Sequence, residues 1–73
     1  MEKFKIKKDK DYINLTQYLK YVNYISSGGE IEHFLSNNEI YLNDVIVSEK
    51  RKKIYPGDVL VIKGEKHQFT KDN

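Results

Sequence analysis

The chain contains no cysteine, which excludes disulfide staples, thiolate metal sites and thiol nucleophiles together. It has no tryptophan and one proline, and it shows no internal repeat or low-complexity segment. No apolar run approaches the ~18 residues that a membrane span needs, and the lysine-rich start lacks the apolar stretch of a signal peptide. A small soluble domain with a cytoplasmic address and no membrane contact is expected. Catalytic signatures are also missing: there is no Gly-rich phosphate loop, and no serine stands in a recognisable His/Asp constellation. His33 and His67 are isolated and bring no cluster of metal donors. The expectation is a protein that is not an enzyme and carries no metal or cofactor. The most informative shortage is local, for Tyr21 to Glu49 includes no Lys or Arg.

Seventy-three residues make one domain with a thin core, since a chain this short buries only roughly 60% of its unfolded surface. With 38% apolar and 33% charged residues it is charged for a globular chain, yet not depleted enough in apolar residues to be disordered. The net charge of +2 conceals a segregation. Residues 1–20 carry six lysines against Glu2, Asp9 and Asp11; the middle block carries only acids; seven cations lie from Lys50 onward. A basic side and an acidic side follow if these blocks stay together, and a basic patch is the usual footprint of a polyanion partner. A solvated surface with scattered charges is the alternative.

Phe4-Lys5-Ile6-Lys7 alternates apolar and charged residues, which predicts a short edge strand. Lys8 to Tyr12 is a polar connector. Asn14 with Gln17 forms a variant capping box, and Leu15, Tyr18, Leu19, Val22 and Ile25 then make one helical stripe. Ser27 and Glu30 have capping-box spacing for a second helix, with Gly28 and Gly29 in its first turn. Ile31, Phe34 and Leu35 form its apolar face, and Asn37-Asn38 its expected left-handed stop. Ile40-Tyr41-Leu42 and Val45-Ile46-Val47 flank the turn Asn43-Asp44. Tyr55-Pro56-Gly57-Asp58 is a strong turn signal ahead of the apolar run Val59-Leu60-Val61-Ile62, expected to be a buried strand. A last strand around Gln68-Phe69 is only weakly signalled. The order is β-α-α-β-β-β, an α+β fold with a two-helix hairpin packed on a small, mostly antiparallel sheet.

From Leu15 to Ile62 this series of capped helices, short strand, Asn43-Asp44 turn, basic segment and Pro56-Gly57-Asp58 turn resembles the S-four RNA-binding domain, also called the alpha-L motif. Ser26-Ser27-Gly28-Gly29 before Phe34-Leu35, the basic run at 50–53 and the short length are most similar to small stand-alone bacterial members of the YaaA type. The resemblance implies a single RNA-binding domain over residues 1–73, with the motif at about 13–63. Residues 1–12 would be edge strand and basic connector, and 64–73 a short tail. It further implies a monomer that binds structured RNA, chiefly ribosomal RNA or a pre-ribosomal particle, in ribosome assembly or translation. Departures are visible. Where the family commonly has arginines in and before the second helix, this chain has Gly28, Glu32 and His33. Asn14 stands where an Arg is common, whereas Lys53 is at a commonly basic position. RNA contacts would have to shift toward the basic run and the amino-terminal lysines.

Lys50-Arg51-Lys52-Lys53 is the foremost candidate site, because on a loop four neighbouring cations can fan around a phosphate backbone. Arg51 adds a planar fork for phosphate or a guanine edge. Lys5 and Lys7 of the basic amino terminus are further RNA-binding candidates, and Lys20, with Arg51 and Tyr55, is a candidate for sequence preference. Ser27 and Gly28 could offer backbone N–H groups to a phosphate, although plain helix capping explains them as well and Glu30 and Glu32 would repel it. Among the six tyrosines, Tyr18 suits the core, Tyr21, Tyr24 and Tyr55 are open to base stacking, and Tyr55, beside the basic run, is the preferred candidate. Two rivals stay open: a protein-interaction module that docks a partner on the acidic helix face or the edge strand, and a non-specific polyanion binder.

Overall fold

The computed structural model describes residues 2–72. In chain order the elements are β1 (Glu2–Ile6), β2 (Ile13–Asn14), α1 (Leu15–Tyr21), a 3-10 turn (Gly28–Glu30) running into α2 (Ile31–Asn37), β3 (Ile40–Leu42), β4 (Val45–Ile46), β5 (Lys53–Ile54), β6 (Val59–Ile62) and β7 (Glu65–Lys71). The main sheet has the order β1-β7-β6-β3-β4, parallel between β1 and β7 and antiparallel elsewhere; β2 and β5 form a separate short ladder. The α+β class and the edge position of β1 agree with expectation.

Period-2 alternation sorts the sheet into two faces. Ile6, Phe69, His67, Leu60, Ile62, Ile40 and Leu42 are buried on one face, where they meet Leu15, Tyr18, Leu19, Ile31 and Phe34 from the helices. An aromatic cluster fastens α1 to this face: the Tyr18 ring lies edge-on to Phe69 at 4.7 Å and to Phe4 at 5.3 Å. Lys3, Lys5, Lys66 and Thr70 are exposed on the other face. Val59 and Val61 also face that way and are only half-buried, so β6 is covered on one side rather than buried throughout.

Three sequence expectations are revised. The first helix ends at Tyr21 and not at Ile25, because Asn23 takes the left-handed conformation (φ 64°) and closes a Schellman motif. In it Tyr24 N–H donates to Leu19 C=O at 2.9 Å and Asn23 N–H to Lys20 C=O at 3.1 Å. Ile25 is buried all the same, delivered to the core by the turn. The second helix stops differently from expectation: Asn38 is extended (φ −140°), and the Asn37 and Asn38 side chains donate to the His33 and Phe34 carbonyls at 2.8 and 3.1 Å. The expected short tail at 64–73 contains β7, seven residues long and inserted between β1 and β6. Its buried residues are His67 and Phe69; a histidine in an apolar slot weakened the alternation signal.

Both hairpin turns use paired positive φ. Asn43 and Asp44 (φ 51° and 68°) join β3 to β4, and Lys63 and Gly64 (φ 51° and 78°) join β6 to β7, the twist that suits two-residue hairpins. Gly57 (φ 96°) takes the left-handed position of the Pro-Gly turn, where Asp58 N–H donates to Tyr55 C=O at 3.1 Å.

Candidate nucleic-acid interface

The basic run leaves the sheet after β4 and returns through β5 to the start of α1. Leu15 N–H donates to Lys52 C=O at 2.8 Å, and the Thr16 hydroxyl donates to Lys50 C=O at 2.6 Å. The first turn of a helix has free N–H groups, and here a neighbouring loop supplies one acceptor while the Asn14 side chain supplies another, to Gln17 N–H at 2.9 Å. Bonds to main-chain carbonyls therefore hold the run without engaging its side chains. Lys50, Arg51 and Lys53 are exposed and Lys52 is half-buried.

Other candidates lie nearby. A Cβ on Gly28 would stand 3.9 Å from the Thr16 methyl, which places the 3-10 turn beside the pinned loop. Lys20 is one helical turn beyond Thr16 on the same side of α1 and is exposed. Thr16 thus links the loop to Gly28, with Lys20 one turn further along α1.

Some candidates stand apart. Lys5 lies on the sheet face opposite the helices. Lys7 begins a turn in which its carbonyl accepts from Lys10 N–H at 2.9 Å. The Ser27 amide is already occupied: it donates to the Glu30 carboxylate at 3.1 Å, as does Ser26 N–H at 3.1 Å. Hydrogen bonds from Ser26 first, and then Ser27, hold the Glu30 carboxyl below its usual range, opposed by slight desolvation. The turn thus contains its own anion, which competes with any phosphate at those amides.

Carboxylates also temper the middle of the surface. Glu32 accepts from Lys50 Nζ at 3.2 Å, in an ion pair exposed enough to be weak. The Tyr41 hydroxyl donates to Glu39 at 3.2 Å. Of the acids in the helix-two region only Glu32 is paired with a cation; Glu30 and Glu39 accept from neutral Ser and Tyr groups and keep their charge.

One neighbour was not legible as a candidate. Tyr12 precedes β2 and Tyr55 follows β5, and the pairing Ile13↔Ile54 sets the two rings 5.7 Å apart. Lys53 Nζ lies 5.0 Å over the Tyr12 ring. No local spacing links positions 12 and 55; only the ladder does. Among the described residues, no three His, Cys, Asp or Glu side chains are grouped as a metal site needs. No described helix is long and apolar enough to cross a membrane.

Two helices packed on a mostly antiparallel mixed sheet are the architecture of a known class. The chain belongs to the S4 domain family, whose pattern matches residues 4–70. It is similar to the "Probable ribosome maturation protein RlbA" of Bacillus subtilis (strain 168). The two are 41% identical over 56 residues, covering 77% of this chain and 79% of the relative. No solved structure matches it.

Proposed function

We propose that this chain is a non-catalytic, cytoplasmic, bacterial RNA-binding protein that takes structured ribosomal RNA during maturation of the ribosome. Family membership and the maturation role in the relative's name support the class of partner. The observation that carries the reading is the pinned loop. Lys50 and Lys52 carbonyls are fixed on the start of α1, so Arg51, Lys52 and Lys53 extend from a rigid support. Less loop freedom is then lost when a phosphate backbone docks. Each neutralised phosphate releases counterions, so affinity falls steeply with salt. Arg51 can hold one phosphate with two parallel N–H donors, and Lys20 extends the positive surface along α1. Base edges of A-form RNA are hidden in a deep groove, so these contacts read backbone shape.

The test is the combined substitution of Lys50, Arg51, Lys52 and Lys53 by Ala, with binding to a ribosomal RNA fragment followed at two salt concentrations. Affinity drops at least ~10-fold, or about 1.4 kcal/mol, and the salt dependence becomes shallower. Unchanged affinity in a folded variant refutes the site. Duplex DNA that competes as well as the RNA would instead identify a non-specific polyanion binder.

A further inference from the structure

We propose that Tyr12 and Tyr55 form a stacking platform for one unpaired nucleobase, so that the RNA held here presents a bulged or splayed-out base beside its stem. The inference rests on the RNA-binding reading and adds the kind of RNA. Large aromatic side chains gain most when buried, yet these two are 40% and 45% exposed and lie outside the buried cluster. The other tyrosines lack this pairing beside the basic run. Tyr18 is core, Tyr24 packs on Phe34 at 5.6 Å, and Tyr41 is half-buried and donates to Glu39 at 3.2 Å. Tyr21, although 67% exposed, leans on Phe4 at 4.9 Å at the far end of α1 from the basic loop.

Rigidity supports the platform. Tyr55 N–H donates to the Asp58 carboxylate at 2.8 Å, and Asp58 N–H returns to Tyr55 C=O at 3.1 Å, which fixes that residue in the Pro-Gly turn. Tyr12 is held by the β2–β5 ladder immediately after it. The ring planes are inclined at 49°, an open wedge rather than a closed stack. A flat base can lie on one ring while its edge meets the other. Lys53 Nζ covers one face of Tyr12 at 5.0 Å, so it moves off that ring when a base stacks there and then supplies a cation for the phosphate of the extruded nucleotide. A base in a continuous helix is stacked on its neighbours and has no free face to give, so the platform selects unpaired nucleotides.

The experiment compares two probes, an RNA hairpin with a single bulged adenosine and the same hairpin without it. The wild-type chain is expected to prefer the bulged hairpin at least ~10-fold, within the range base–aromatic stacking provides. That ratio should fall toward one in Tyr12→Ala/Tyr55→Ala and persist in Tyr12→Phe/Tyr55→Phe, which keeps both rings. Binding to both hairpins with no preference in the wild-type chain, or a preference that survives the alanine pair, overturns the platform and leaves the RNA reading standing. If neither hairpin binds, both fall.

Discussion

Tyr18→Phe is expected to destabilise the fold well beyond what one lost oxygen suggests. The Tyr18 hydroxyl lies 2.5 Å from His67 Nδ1, and both residues are 1% exposed. The other imidazole nitrogen, Nε2, is buried with no hydrogen-bond partner, and the nearest carboxylate, Glu65, is 3.5 Å away. The consistent arrangement has Tyr18 donating to Nδ1 while Nε2 carries the proton and faces Glu65. Phenylalanine keeps the ring contacts with Phe4 and Phe69 and leaves the imidazole without its one good bond. A buried polar atom left unsatisfied costs about 1–3 kcal/mol. A domain of this length has roughly 4–11 kcal/mol in total, so one atom could remove a large share of it. Urea unfolding followed by far-UV circular dichroism measures the loss, and Tm should drop about 4–8 °C for each kcal/mol. The double variant Tyr18→Phe/His67→Leu removes both polar partners and should recover much of the single-variant loss. A single-variant cost below about 0.5 kcal/mol, or a double variant worse than either single one, would refute the buried latch.

Stability should also depend on pH through His67. Burial holds its pKa below the ordinary 6.5, with Glu65 opposing, so the folded imidazole resists a proton that the unfolded chain accepts. Stability is then full above about pH 7 and declines as pH falls through 6.5 toward the lower folded value; His67→Gln should flatten that decline in thermal-melt profiles. Asp44→Gly should stabilise by about 0.5–1 kcal/mol in the same unfolding assay, because glycine accepts the left-handed φ of 68° without steric cost. Glu32→Gln frees Lys50 and removes a carboxylate from the proposed interface, so RNA affinity should rise a few-fold at low salt and lose that gain at high salt.

Much of the architecture was legible because local rules agreed with the final packing. The Asn14–Gln17 box, the Leu15–Tyr18–Leu19 stripe and the Asn43-Asp44 turn all depend on neighbours a few residues away. The failures share a cause as well. The stripe continues through Ile25, but its spacing does not reveal that Asn23 ends the helix while a turn delivers Ile25 to the core. β7 was underestimated because His67, polar by composition, fills an apolar position with Tyr18 as its partner 49 residues away. The candidate surface divides in the same manner. Its basic run is contiguous and visible, whereas the Thr16 bond to Lys50, the pairing of Lys50 with Glu32 and the Tyr12–Tyr55 wedge join distant segments.

The amino-acid order by itself determined where helices begin, where hairpins turn and where positive charge is concentrated, since capping, φ preference and charge act over a few residues. Tertiary structure alone decided which of those charges remain free and which aromatic rings meet. The β2–β5 ladder brings residues 12 and 55 together, and the start of α1 fixes the basic loop, through hydrogen bonds that no sequence spacing encodes.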